Sequence, residues 1–181
     1  MITFNQFFAD NTKEKVAIMP GAYKPPHKGH FKAFENLLSN ADKGIILVSK
    51  QSRDDITGEQ SQAIWNIYKR YYRKPCEVIL CSKSPVTEMY QFIEENKDKN
   101  IFLGVGDKAK DNNRFKWLVD RIDEYPNCSI MELNLECEGI SGTDVRAKIA
   151  DGDPSVVDFF CPDEVIGTDR DEILRILNIR R

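Results

Sequence analysis

The sequence of 181 residues lacks the features that mark a secreted, membrane-bound or nucleic-acid-binding protein. It has no apolar run near the ~20 residues that a membrane-spanning helix needs, and its first residues show no basic stretch before a long apolar core. Its 26 Lys and Arg are balanced by 29 Asp and Glu, so a broad cationic surface for nucleic acid is not expected. We therefore expect no membrane and no nucleic acid among its partners.

Cysteine is scarce and irregularly spaced. The five cysteines are odd in number and form no Cys-x-x-Cys pair, which favours neither a disulfide framework nor a zinc knuckle. Reduced thiols are typical of the cytoplasm, which is the predicted location. The sequence does not fix the oligomeric state and allows a homo-oligomer.

Short β-rich runs alternate with segments of helical periodicity. The runs lie at 16–19, 44–49, 77–82, 101–105 and 129–134. Several are apolar without alternation, as strands buried on both faces should be. The alternation predicts an α/β fold, a Rossmann-like, doubly wound parallel sheet of about five strands in the order 3-2-1-4-5. We expect a single domain with an N-terminal extension over 1–13, an α/β core over 14–140 and a helical C-terminal segment over 141–181.

Histidine occurs twice in the chain, and both copies lie in the loop GAYKPPHKGH directly after the first predicted strand. Gly21 allows a sharp turn out of the strand, and Gly29 allows close approach where the next helix begins. A helix N-terminus favours an anion, and ligands of open α/β sheets bind beyond the carboxyl ends of the strands. His27 and His30 could therefore donate hydrogen bonds to a phosphate group.

Two other interpretations of the histidine pair remain open at this point. One histidine could be a polar loop residue and the other a helix cap. A zinc pair is the second alternative, but it would need further ligands, and the chain has no other histidine. The charges of Lys24 and Lys28 in the same loop favour a phosphate.

The loop resembles the first signature of the HxGH nucleotidyltransferase superfamily, most closely its nicotinamide mononucleotide adenylyltransferase branch. The resemblance implies that both histidines grip the triphosphate of a nucleotide while an acceptor phosphate attacks its α-phosphorus. Ala22 stands where that branch commonly has Arg or Thr.

A second motif, GISGTDVR, lies near the end of the alternating part. Ser141 and Asp144 make an S-x-x-D capping box that opens a helix, which does not explain Gly142, Thr143 and Arg146. Thr143 and the helix-start amides could bind phosphate, and Arg146 could add a charge-assisted fork. The segment resembles the I-S-[SG]-T-x-x-R signature of the same superfamily, which implies that it closes over the β- and γ-phosphates.

Weaker signals lie between the two motifs. In similar adenylyltransferases a Gly-x-Asp after the fourth strand touches the nucleotide, which singles out Gly104 and Asp107, and a later Trp lies near the acceptor base. Gly104 could instead serve a tight turn, and Trp117 could be a core residue. Related enzymes hold the acceptor phosphate with Lys or Arg before the second helix, where Lys50 and Arg53 stand; a solvated charged loop is the alternative.

These observations predict a nucleotidyltransferase that uses a nucleoside triphosphate with Mg²⁺, most simply ATP, and a small phosphorylated acceptor similar to nicotinamide mononucleotide. A cytidylyltransferase acting on a phosphorylated alcohol and a nucleotide-binding module without turnover are the alternatives. A dehydrogenase is disfavoured because no G-x-G-x-x-G follows the first strand. The predicted catalytic residues are His27, His30, Arg146, Lys24 and Lys28. The predicted nucleotide-binding residues are Gly21, Ala22, Tyr23, Gly29, Gly104, Asp107, Ile140, Ser141, Gly142 and Thr143. The predicted acceptor-binding residues are Lys50, Arg53 and Trp117, and no residue is predicted to ligate a metal.

Overall fold

The computed structural model describes residues 12–106, 115–133 and 139–180. Five strands form one parallel sheet in the order β3-β2-β1-β4-β5, which confirms the predicted fold class and strand order. The strands are β1 (Lys15–Gly21), β2 (Lys43–Val48), β3 (Cys76–Leu80), β4 (Asn100–Gly106) and β5 (Cys128–Leu133). Most of the predicted N-terminal extension, residues 1–11, lies outside the described part, as does Asp107.

Helices connect the strands and make up the C-terminal segment. The α-helices are α1 (Lys28–Ser39), α2 (Gly58–Tyr68), α3 (Pro85–Glu95), α4 (Lys116–Asp120), α5 (Gly142–Ala150), α6 (Val156–Phe160) and α7 (Gly167–Ile176). Short 3₁₀ turns follow α2 and α4, at Lys69–Tyr71 and Ile122–Glu124. Within the described ranges, no helix has both the length and the apolar content needed to cross a bilayer.

Strand β1 is central and is buried on both faces. Ala17 and Met19 point into the core formed with α1, α2 and the C-terminal helices. Val16 and Ile18 point to the opposite core, formed with α3 and α4. Because successive strand residues face opposite sides, a strand between two cores needs apolar residues at every position, as its sequence predicts.

Side-chain caps mark where α1, α2, α3 and α5 begin. At α2 the Thr57 amide donates to Gln60 Oε1 at 2.8 Å, and the Gln60 amide donates to Thr57 Oγ1 at 3.1 Å. This is a reciprocal capping box. The same Gln60 side chain donates to the carbonyl oxygen of Ile176 at 2.7 Å, which ties the last helix to α2.

The strand order places the switch point of the sheet between β1 and β4. The chain moves outward from β1 to β2 and β3, and then returns to the other side of β1 for β4 and β5. Ligands of doubly wound sheets bind at this point, beyond the carboxyl ends of the strands. The loop carrying both histidines leaves β1 at that edge.

Candidate functional site

The loop after β1 folds back over its own strand. Tyr23 has a left-handed backbone conformation, with φ of 53°, and its hydroxyl donates to the carbonyl oxygen of Met19 at 2.8 Å. The ring consequently covers Gly21, where a Cβ atom would lie 2.5 Å from the nearest ring carbon. Because the ring is buried, it has little freedom to move aside. Close packing therefore requires glycine at position 21.

His27 and His30 together form the N-terminal cap of α1. The His27 amide donates to Nδ1 of His30, and the Gly29 amide donates to Nδ1 of His27, both at 3.2 Å. A neutral imidazole has one donor nitrogen and one acceptor nitrogen. Each ring, when neutral, therefore carries its proton on Nε2. The cap uses Nδ1 and a phosphate contact would use Nε2–H, so the two roles are compatible.

The two imidazoles lie against each other, with ring centroids 3.8 Å apart. His30 keeps some exposed surface, but protein atoms crowd it, and the edge of the Tyr23 ring lies at 5.1 Å between centroids. The pKa of His30 lies well below its ordinary value, mainly because burial removes water from the ring and secondly because of its electrostatic interaction with His27. His30 is thus neutral at pH 7 and keeps one N–H donor.

Lys24 joins the first loop to the end of β2. Its Nζ donates to the carbonyl oxygens of Ala22 at 2.6 Å and Ser49 at 2.9 Å. Burial lowers the pKa of Lys24 to about 8, against an opposing effect of Glu59. The lysine therefore places a partly desolvated charge beneath the loop. Lys28, the first residue of α1, is partly exposed.

The second motif opens α5 as predicted. Ser141 Oγ accepts the Asp144 amide at 3.2 Å and donates to its carboxylate at 2.6 Å. Ile140, just before this cap, is buried and fixes the approach to the helix. A Cβ atom at Gly142 would lie 3.1 Å from Nη1 of Arg146. The small residue at the helix start thus leaves room for the arginine to fold back.

Arg146 connects the two motifs. Its Nη1 donates to the carbonyl oxygen of Lys24 at 3.1 Å, across a sequence separation of 122 residues. Its Nη2 donates to Thr143 Oγ1 at 3.2 Å. Only 9% of the arginine side chain is exposed. The segments that carry the two signatures therefore meet at the edge of the sheet where β1 ends.

Two solved structures are similar to this chain over nearly its full length. A protein from Vibrio parahaemolyticus assigned as a nicotinate-nucleotide adenylyltransferase has a TM-score of 0.61 and 20% identity, covering 89% of this chain and 99% of its own. Plasmodium falciparum nicotinic acid mononucleotide adenylyltransferase, complexed with APC, has a TM-score of 0.59 and 10% identity, covering 92% of this chain and 98% of its own. The chain has the fold of these adenylyltransferases. No protein-family model and no curated protein sequence matches it.

The residues predicted to bind the acceptor lie on two elements. Lys50 and Arg53 are exposed in the loop between β2 and α2. Trp117 lies on α4 with 43% of its surface exposed, and its ring contacts that of Tyr90 at 5.0 Å between centroids. The alternative of a core position for Trp117 is therefore wrong. Contact of these three residues with an acceptor stays a prediction.

Close packing requires a glycine at position 104, which the sequence does not reveal. It lies inside β4, where a Cβ atom would be 2.5 Å from Leu133 Cδ1 and 2.8 Å from Leu37 Cδ2. The glycine lets the side chains of Leu37 from α1 and Leu133 from the neighbouring strand β5 pack closely over β4. It lies within β4, so a tight turn is not its role, and its predicted contact with the nucleotide stays a prediction.

Asp54 is a site residue that sequence reasoning missed. Its Oδ2 accepts a hydrogen bond from Nε of Arg146 at 2.6 Å. The two residues are 92 positions apart, and neither motif contains the aspartate. The local signal was only the Asp-Asp pair of a turn, which is typical of surface loops.

Within the described ranges, no group of three or more His, Cys, Asp and Glu side chains could hold a metal ion. This finding gives no support to the zinc alternative for the histidine pair. Mg²⁺ bound to a nucleotide is usually held by phosphates, waters and one or two carboxylates. Such an ion does not require a protein cage.

Proposed function

We propose that the protein transfers AMP from ATP to a phosphate-bearing acceptor similar to nicotinamide mononucleotide and releases pyrophosphate. The observation that carries this proposal is the hydrogen bond from Arg146 to the carbonyl oxygen of Lys24. It brings the starts of α1 and α5 to one end of the sheet, where amides, imidazoles and a guanidinium can surround a polyphosphate. The fold shared with adenylyltransferases, one of them complexed with an ATP analogue, favours ATP over CTP.

The proposed reaction is a direct displacement at phosphorus. An oxygen of the acceptor phosphate forms a bond to the α-phosphorus in line with the leaving group. The bond from the α-phosphorus to the oxygen bridging to the β-phosphorus breaks, and its electron pair leaves with pyrophosphate. Such chemistry depends on positioning and charge stabilisation more than on a covalent nucleophile.

Each site residue has a role in this proposal. His27 and His30 donate through Nε2 to oxygens of the α- and β-phosphates. Arg146 and Thr143 hold the leaving pyrophosphate, and the charges of Lys24 and neighbouring Lys28 add a favourable field. The remaining predicted contacts are Gly21, Ala22, Tyr23, Gly29, Gly104, Asp107, Ile140, Ser141 and Gly142 for the nucleotide, and Lys50, Arg53 and Trp117 for the acceptor.

Mg²⁺ is proposed to enter with the nucleotide and to neutralise part of the phosphate charge. Asp54, the carboxylate beside Arg146, is engaged in an ion pair with it. Phosphate oxygens and water would therefore supply most ligands of the ion.

The test measures pyrophosphate release and identifies the product. The purified protein is incubated with Mg²⁺ and either ATP or CTP, together with nicotinamide mononucleotide, nicotinate mononucleotide or phosphorylated alcohols. We expect pyrophosphate and a dinucleotide with ATP and a pyridine mononucleotide. His30→Ala should lower the rate about a hundredfold or more, because it removes one donor to the transition state.

Other outcomes would replace the proposal. Turnover of CTP with a phosphorylated alcohol would identify a cytidylyltransferase. Binding of ATP without pyrophosphate release for any acceptor would favour a nucleotide-binding module. Absence of both binding and turnover would show that the proposed function is wrong.

A further inference from the structure

The loop between β2 and α2 contains a turn with an unusual backbone. Arg53 and Ile56 are joined by two antiparallel backbone hydrogen bonds of 3.0 Å. Between them, Asp54 and Asp55 both have left-handed conformations, with φ of 48° and 62°. This is the pattern of a type I′ turn, for which Asn-Gly or Asp-Gly is preferred. Two consecutive aspartates therefore hold a conformation that is unfavourable for them.

The turn is anchored to the rest of the protein at its C-terminal end. Ile56 is buried, and Thr57 after it caps α2 through its reciprocal hydrogen bonds with Gln60. The turn therefore cannot relax freely without disturbing the start of a core helix. Backbone strain that the surroundings enforce is a feature of functional sites.

The strained turn brings one carboxylate to the arginine of the second motif. Asp54 Oδ2 lies 2.6 Å from Nε of Arg146. The other two hydrogen bonds of the guanidinium go to neutral oxygens, those of Lys24 and Thr143. Asp54 thus supplies a full negative charge to an arginine side chain that is 9% exposed, while 65% of its own side chain is exposed.

The position of Asp54 sets it in competition with a polyphosphate. A phosphate group that binds Arg146 approaches the same guanidinium and meets a like charge beside it. Removal of water from the site strengthens this repulsion, because charges interact more strongly at lower dielectric. The exposed carboxylate, in contrast, can turn into solvent at little cost. If phosphate oxygens replace the carboxylate, Arg146 has a negative partner both before and after the polyphosphate binds.

We propose that Asp54 is a positioning residue that holds Arg146 against the first loop until a bound polyphosphate displaces its carboxylate from the guanidinium. This competition weakens polyphosphate binding and so eases pyrophosphate release. This inference rests on the proposed function, since it takes Arg146 as a phosphate ligand. In this proposal the strained turn places the carboxylate of Asp54 against the arginine, where a phosphate can replace it. The carboxylate of Asp55 does not make this contact.

The experiment titrates inorganic tripolyphosphate into the full chain by calorimetry at low ionic strength. Asp54→Asn removes the charge and keeps a side chain that tolerates left-handed backbone well. Asp55→Asn is the matched control, with the same charge change one residue away. We expect Asp54→Asn to bind tripolyphosphate about fivefold to tenfold more tightly than the wild type, and Asp55→Asn to bind as the wild type does. A purely structural role of Asp54 predicts the opposite sign, weaker binding.

A third comparison tests whether the effect passes through Arg146. In an Arg146→Gln background, the gain from Asp54→Asn should fall below about twofold. Equal gains from the two asparagine variants, a gain that persists without Arg146, or no gain at all would overturn the inference. Failure of every variant to bind tripolyphosphate would also overturn it. The proposed function is judged separately, by pyrophosphate release from ATP, so the two ideas can fail independently.

Discussion

Nδ1 of His30 accepts the backbone amide of His27 at 3.2 Å, so the ring caps a helix with one nitrogen and offers the other as a donor. Glutamine is a common residue at this third position of a capping box. A substitution can therefore separate the structural role of His30 from its chemical role.

His30→Gln should keep the cap and lose the activity. The Gln Oε1 atom can accept the His27 amide, so the melting temperature should stay close to that of the wild type. The rate of pyrophosphate release should fall about a hundredfold or more, because the Nε2–H donor is gone. His30→Ala should show the same loss of rate and also a lower free energy of unfolding, by about 1 kcal/mol. A normal rate for His30→Gln would remove the imidazole from the mechanism.

The lowered pKa of His30 predicts a loss of stability in acid. The ordinary pKa of 6.5 applies to the unfolded chain, and the folded value lies well below it. As the pH falls below 6.5, the unfolded chain takes up a proton that the folded protein does not bind. The free energy of unfolding should therefore decrease as the pH falls through this range. Urea unfolding between about pH 7 and about pH 5 measures this slope, which should be smaller in His30→Gln.

The lowered pKa of Lys24 predicts that the free energy of unfolding changes with pH in the alkaline range. Its pKa is lowered from 10.5 to about 8 by burial. Between these two values the unfolded chain holds a proton that the folded protein has released, so the free energy of unfolding should rise with pH in this window. Lys24→Met should remove the rise. Lys32→Met, at a partly exposed position of α1, is the control and should keep the slope of the wild type.

Gly21→Ala should destabilise the protein by about 1–3 kcal/mol through overpacking. The new Cβ atom would lie within 3 Å of three carbon atoms of the buried Tyr23 ring. The displaced ring would in turn disturb His30, so the rate of pyrophosphate release should also fall. Gly167→Ala is the control, since a Cβ atom there meets nothing within 4 Å. Equal unfolding midpoints in urea for the two variants would contradict the packing argument.

Lys74 should stabilise the C-terminal end of α1. Its Nζ donates to the carbonyl oxygens of Leu38, Ser39 and Ala41 at 3.2, 2.9 and 2.6 Å. A cation at this end of a helix also interacts favourably with the helix dipole. Lys74→Met should lower the free energy of unfolding by about 1 kcal/mol, as measured in urea. The control Lys32→Met, within α1 itself, should change the free energy of unfolding by less than about 0.5 kcal/mol.

The fold was predictable because its signals are local. Apolar runs without alternation mark strands buried on both faces, and the five predicted strands match the observed ones to within two residues at each end. The cap at Ser141 was readable for the same reason, since its partner Asp144 lies three positions away. The sequence allowed a helix cap as one role of the histidine pair. The structure shows a cap formed by His27 and His30, and this cap is compatible with a phosphate contact through Nε2.

The sequence by itself determined which segments become strands and helices and where the helices begin, because those choices depend on residues within about one helical turn of each other. Only the tertiary structure decided that Arg146 meets Lys24 and Asp54, that Tyr23 closes over Gly21, and that Gly104 makes room for Leu37. Contacts such as that of Arg146 join positions far apart in the chain, and they form only when the sheet brings the ends of its strands together. No local pattern encodes such a pairing, since the free energy that selects it comes from packing of the whole core.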